Sequence, residues 1–266
     1  MAIELKGDFI GFSFNGYRSE DLGIVRVSDG SRYNEDLLPT AQDKTVQVPG
    51  GDGFYYFGSD YTQKPLTIPI AFDNLSEEDF SRLSRVFGTK DLGPLIFDER
   101  PYKYYMAKAN KPQLKYICFE EKGKGRVYKG EGTLTFTCYY PFARSAQTYG
   151  GTSSSVIDPV EGDVPTPFKL VIDFSNSTDL TPHSKLSSFT VNSNTITFEP
   201  AIKVEKNDVL VWDSKVGLVK KGNTICPYSG RGIVNLEPGT DVAISAEGTS
   251  LGDHYNLSIS YKYLYN

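Results

Sequence analysis

The sequence predicts a mainly β protein in two domains, on three observations. Apolar and polar residues alternate with period 2 through most of the chain, as strands buried on one face do. Aromatic residues make up 13% of the sequence, mostly Tyr and Phe, which pack well on pleated surfaces. From Arg144 to Pro167 the apolar rhythm gives way to Gly, Ser, Thr and Pro, the composition of a linker. For 266 residues this implies an α+β domain over 1–145, a linker over 146–164 and an all-β domain over 165–266.

Taken in order, "KPLTIPIAF" puts Leu66, Ile68 and Ile70 on one strand face. One helix follows in "NLSEEDFSRLSRVFGTK". Ser76 caps it, Asp79 stands three residues later, Phe80, Leu83 and Phe87 recur at helical spacing, and Gly88 closes it. The stripe should lie on a sheet. "EGTLTFTCYY" alternates Thr with Leu134, Phe136 and Cys138, so the cysteine reads as a small core residue. In the second domain "PFKLVIDF", "SFTVNSNTITF", "DVLVWDSKVGLV" and "YNLSISYKYLY" are short strands with turn residues between them, the pattern of a sandwich or barrel. Asn192 to Asn194 separates two of them as a hairpin turn.

Hydrophobic residues at 39% and charged residues at 23% allow a sizeable core. The net charge of −5 argues against a nucleic-acid binder, which needs a basic footprint. There is no cationic leader and no run of 18 apolar residues, so a soluble protein made in the cytoplasm is expected, with no membrane partner. Three widely spaced cysteines, Cys118, Cys138 and Cys226, suit reduced buried thiols better than a disulfide framework.

Patterns for chemistry are missing. His183 and His254 stand apart from other ligand types, so no local zinc motif exists. "GFSFNG" has Asn15 where a nucleophile elbow needs its second glycine, and "GLVKKGNT" has Asn223 where a phosphate loop needs lysine. No catalytic, cofactor-binding or metal residue is assigned, and no enzyme is predicted. "GKGRVYKGEG" reads as a hairpin tip. Its Lys122, Lys124, Arg126 and Lys129 lie among Glu120, Glu121 and Glu131, either as a self-neutralised turn or as a contact for an acidic neighbour. "VPGGDGFYYFGSDY" reads as a tight turn aiming an aromatic strand, with Tyr55 and Phe57 on one face and Phe54 and Tyr56 on the other. One pair is expected to pack inward and the other to face out.

"VPGGDGFYYFGSDYTQKPLTIPIAF", the capped helix, "GPLIFDERPYKYYMAKAN" and "YKGEGTLTFTCYYPFARS", in that order, resemble the N-terminal domain of the distal tail protein (Dit) family of long, non-contractile-tailed bacteriophages. The C-terminal part resembles the family in place, size and all-β pattern, where many members carry a galectin-like sandwich. The resemblance implies a structural virion protein at the tail tip, without cofactor. It implies a hexameric ring with a central DNA channel, joining the tail tube protein to the tail-associated lysin or fibre protein and seating receptor-binding proteins. Six copies at −5 each carry −30, and part of that acidity is expected to face the channel.

Candidate interface residues are Phe9, Phe12 and Tyr17 on the N-terminal strand, Tyr55 and Phe57, and Lys122, Lys124 and Arg126 on the hairpin from Lys115 to Cys138. The competing readings are a carbohydrate-binding tail-tip adhesin, a glycoside hydrolase and a tube or baseplate subunit of a contractile system. For the adhesin, "HYNLS" keeps His254 and Asn256 of the galectin sugar pattern but has Ser258 where that pattern has Arg. Trp212 would stack the sugar, or else pack in the core.

Overall fold

The computed structural model describes residues 11–27, 38–121, 125–153, 157, 159–177, 180–251 and 255–266. The chain divides into two compact units, Met1–Arg144 with Asn266, and Ser145–Tyr265.

In the first unit, β1 (Phe12–Phe14) and β2 (Tyr17–Arg18) form a hairpin whose turn is Asn15 at φ 50° and Gly16 at φ 84°. "GFSFNG" is therefore a hairpin, because Asn and Gly are the residues that accept two successive positive φ angles. Next come β3 (Ile24–Arg26), β4 (Ala41–Gln47), β5 (Phe54–Tyr61), β6 (Lys64–Ser76), α1 (Glu77–Phe87), β7 (Gly93–Phe97), β8 (Lys103–Ala109), β9 (Gln113–Glu121) and β10 (Gly125–Cys138). The main sheet runs β2-β1-β7-β8-β10-β6-β3, with β9 also paired to β10, and it curls into a half-barrel.

Its spine is the β6–β10 pair. Leu66, Ile68, Ile70 and Phe72 are buried from one strand, and Leu134, Phe136 and Cys138 from the other, with Ile68 opposite Leu134 and Leu66 opposite Phe136. Period 2 on both strands puts these residues on one face, and their burial is what holds the register. Cys138 is a core residue, and burial pushes its thiol up to about 12, so it stays uncharged near neutrality.

α1 starts as its sequence predicts. The Ser76 hydroxyl accepts from the Asp79 backbone N–H at 3.2 Å, and the Asp79 carboxylate accepts from the Ser76 N–H at 3.2 Å. Ser76→Ala is expected to cost about 1 kcal/mol through loss of the cap. A urea midpoint unchanged from wild type would show that the cap contributes nothing. At the other end Gly88 has φ −85°, so the expected left-handed closure is not the reason for glycine. A Cβ there would lie 2.4 Å from the Ser84 carbonyl oxygen. Leu83, Val86 and Phe87 are buried, and Phe87 stacks on Phe14 at 6.0 Å.

β11 (Ala143–Ser145) spans the boundary between the units. The second unit contains β12 (Tyr149–Thr152), β13 (Phe168–Asp173), β14 (Lys185–Val191), β15 (Asn194–Lys203), β16 (Val209–Asp213), β17 (Leu218–Lys221), β18 (Thr224–Ile225), β19 (Ser229–Gly230), β20 (Ile244–Thr249), β21 (Asn256–Tyr261) and β22 (Leu264–Tyr265). One sheet runs β12-β21-β13-β16-β17-β18 and the other β19-β15-β14-β20. Phe168, Leu170, Trp212 and Ile259 of the first join Phe189, Ile196 and Phe198 of the second in one core, so the sheets pack face to face. The β14–β15 turn is two residues, with Val191 opposite Asn194 and Asn192 at φ 52°.

The expected linker over 146–164 is not a free tether. Tyr149–Thr152 adds β12 as an edge strand on β21, Tyr149 stacks on Tyr263 at 3.9 Å, and Val160 is fully buried. An edge strand needs only backbone hydrogen bonds on one side, so "YGGT" pairs without apolar alternation. Gly150 lies so close to its partner that a Cβ would sit 2.0 Å from the Ile259 carbonyl oxygen.

Candidate functional site

Among the described residues the most exposed apolar surface is the β4–β5 hairpin, which forms a two-stranded sheet of its own. Val48 N–H donates to the Gly53 carbonyl at 3.2 Å across the turn, and Gly50 and Gly53 have φ of 74° and 115°. Pro49, Gly50, Gly51 and Gly53 therefore make a hairpin end, as the sequence suggests, while Gly58 lies within β5. The burial of its aromatics is different. Phe54, Tyr55, Tyr56 and Phe57 are 67%, 60%, 64% and 64% exposed, so neither pair packs inward. Alternation does divide them between two faces, with Tyr55 and Phe57 at 6.5 Å from one another. Burial, however, needs a second layer, and among the described strands these two pair only with each other.

Polar contacts link the two strands of the ribbon. Ser59 donates to Asp43 at 2.5 Å, Tyr56 and Ser59 share a hydrogen bond at 2.7 Å, and Lys44 pairs with Asp60 at 2.6 Å. All of these are exposed, and each contributes little to stability. An isolated two-stranded ribbon is marginal in water, so the hairpin is a surface suited to a partner.

The other assigned residues fall into three groups. Tyr17 is exposed on β2, under the Arg82 guanidinium at 5.8 Å. Arg126 is exposed and faces Glu120 across the β9–β10 ladder. Phe9, Lys122 and Lys124 lie outside the described residues. Phe12 must be corrected: it is buried against Phe136 at 6.4 Å, so its ring belongs to the core and offers nothing to a neighbour. Phe12 and Tyr17 sit on adjacent strands but on opposite sides of the hydrophobic boundary, which a short sequence run cannot reveal.

Sequence reasoning names the hairpin from Lys115 to Cys138 as a candidate edge by its basic tip, and misses the exposed apolar residues of its β9 arm. Ile117 is 64% exposed, Tyr116 and Phe119 are exposed, and Tyr116 packs edge-on against Phe80 at 5.0 Å. β9 pairs with β10 alone among the described strands. The signal was present in "LKYICF", an apolar run too continuous for a half-buried strand. β10 receives this strand through Gly130, where a Cβ would lie 2.2 Å from the Lys115 carbonyl oxygen. Beside it the Tyr128 hydroxyl donates to the Glu77 carboxylate, and chiefly this bond raises its pKa to about 12.

Trp212 is buried. Its ring lies against Phe168 at 4.9 Å and Phe189 at 5.4 Å, and its indole N–H donates to the Gly232 carbonyl at 2.8 Å. It packs the sandwich core and presents no face on which a sugar could stack. Among the described residues no group of His, Cys, Asp and Glu side chains is placed to hold a metal ion. His183 lies exposed in a loop, and His254 is outside the described residues.

Residues 21–138 match a family model described as phage tail protein RIFT-related domain. Over its whole length the chain is similar to the Dit protein (gp 19.1) of SPP1, described as a paradigm of the hub adsorption apparatus in phages infecting Gram-positive bacteria. The TM-score is 0.65 at 12% identity, covering 97% of this chain and 100% of that one. A chain of the phage p2 baseplate, in its activated conformation with Sr, matches at a TM-score of 0.35 and 12% identity, covering 95% and 98%. No curated protein matches the sequence.

Proposed function

We propose that the chain is a distal tail protein, the ring hub at the end of a siphophage tail, a reading supported by the match of residues 21–138 to a phage tail protein RIFT-related domain. The observation that carries the proposal is the full-length likeness to a hub protein, in which both units of this chain find counterparts. In this reading six first units close a ring around a DNA channel, and the second units project outward as galectin-like sandwiches. The ring joins the tail tube protein on one face to the tail-associated lysin or fibre protein on the other, and seats receptor-binding proteins.

Ring closure needs two different patches on each subunit, because a head-to-tail contact joins unlike surfaces. The β4–β5 hairpin is one such surface, and the open edge of β9, with Ile117 and Phe119, is another suited to strand addition. The buried Trp212 removes the residue that would have stacked sugar in a lectin-like adhesin.

The test is the purified full chain in negative stain and in size exclusion with light scattering. The expected result is a ring with a central hole and six-fold symmetry, at six times 29.5 kDa, or 177 kDa. A monomer that persists at tens of micromolar would overturn the reading.

A further inference from the structure

In the second unit β12 is added to the sandwich without sharing its apolar alternation. Tyr149 lies opposite Tyr261 and Thr152 opposite Ser258, and the Ser153 N–H continues the ladder by donating to the Leu257 carbonyl at 2.9 Å. β21 therefore lies between β12 and β13, and β12 covers its edge away from β13. The covering segment is pinned at both ends. Tyr149 stacks on Tyr263 at 3.9 Å, and the Tyr263 hydroxyl donates to the Pro159 carbonyl at 2.7 Å. Val160 is buried, and its carbonyl accepts from the Gly239 N–H at 2.6 Å.

The strand under this cover has the composition of a segment that adds to other strands. β21 reads "NLSISY", with no charge, no proline and no glycine. Alternation sends Leu257, Ile259 and Tyr261 into the core and leaves Asn256, Ser258 and Ser260 on the other face. Uncharged strands of this length are association hazards when their edge is open. The other edge strands of the sandwich carry their own brakes, since β18 and β19 have two residues each and β20 carries Glu247 and Gly248. β12 is itself a poor template, four residues long with two glycines. Its fit against β21 depends on Gly150, which has φ 145° and would place a Cβ 2.0 Å from the Ile259 carbonyl oxygen.

We propose that β12 is a guard strand, which closes the β21 edge against strand addition by β21 of a second copy of this chain. A second copy is the partner because two such edges match each other. In an antiparallel pair about a two-fold axis normal to the sheet, the apolar faces of both copies lie on the same side. No charge on either strand opposes the contact. With β12 in place, each sandwich instead ends in a short, glycine-bearing strand and stays separate from its neighbours.

The test is Gly150→Val in the full chain, where the added side chain keeps β12 off β21. The fluorescence of Trp212 and the calorimetric transition of the second unit are expected to be retained. Hydrogen exchange of the 256–261 segment is expected to accelerate at low micromolar protein and to slow again at tens of micromolar, as the bared edge finds a second copy. Over the same range the light-scattering mass of the wild-type particle, whatever its size, is expected at least to double. Unchanged exchange of 256–261 would overturn the guard role. Faster exchange with unchanged mass at every concentration would overturn the partner, because the bared edge would not add to another copy. A gain in mass without recovered protection would overturn it too, by placing the contact elsewhere. Should Gly150→Val abolish the transition of the second unit, Tyr149→Ser decides, since it removes the stack on Tyr263 and adds no atom at the edge. Loss of the transition in that variant as well would overturn the proposal, by making β12 part of what folds the sandwich.

Discussion

Phe136→Ala is expected to lower the stability of the first unit by about 3–5 kcal/mol, because the ring is fully buried and its removal leaves a cavity. The ring sits 5.1 Å from Phe14, 6.2 Å from Phe87 and 6.4 Å from Phe12, so one side chain of β10 ties β1 and α1 to the central sheet. The surrounding rings belong to two separate elements, β1 and α1, each held by its own hydrogen bonds, so the gap cannot close by a shift of one of them. Circular dichroism in a urea titration is the suitable probe, since the chain has a single tryptophan and it lies in the second unit. A loss below about 1 kcal/mol would mean that the aromatic cluster is not the centre of this core.

Trp212→Ala is expected to cost the second unit a similar amount, about 3–5 kcal/mol. It opens a space between the two sheets, where Phe168 and Phe189 lie against the indole, and leaves the Gly232 carbonyl without its donor. Trp212→Phe separates these effects. It keeps an aromatic filler but loses the N–H···O bond and part of the volume, so a smaller loss of about 1–3 kcal/mol is expected. Calorimetry of the full chain should show one transition moving down in temperature while the transition of the first unit stays in place. If the two variants lose equal stability, the ring itself contributes nothing beyond its hydrogen bond, and the sandwich core must be centred elsewhere.

Much of this architecture is legible locally. Leu66, Ile68 and Ile70 on one strand and Leu134, Phe136 and Cys138 on its neighbour announce a shared buried face, because the side chains of a strand alternate whatever the rest of the chain does. Ser76 and Asp79 announce the start of α1, because the capping bonds close within four residues. The Asn192 turn is equally local, since it depends on a positive φ at one residue. The candidate surface was only partly legible. Tyr55 and Phe57 read as one face of an aromatic strand and are exposed, Phe12 reads as surface yet is core, and the hairpin from Lys115 to Cys138 reads as an edge by its basic tip without its exposed aromatics on β9.

The sequence by itself determined the mainly β character, the single helix with its cap, and the faces on which apolar residues lie, all of which follow from spacing and turn chemistry over a few residues. Only the tertiary structure decided which of those faces are covered. "FYYF" and "GFSF" look alike as aromatic strands, yet β1 is enclosed by β10 and α1 while among the described strands β5 pairs with β4 alone. The stretch around Gly150 looks like a tether, yet it is a strand because β21 offers it a free edge. Alternation assigns a residue to a side, but burial requires a second layer, and that layer comes from chain segments far away in sequence, which among the described residues the β4–β5 hairpin aromatics lack.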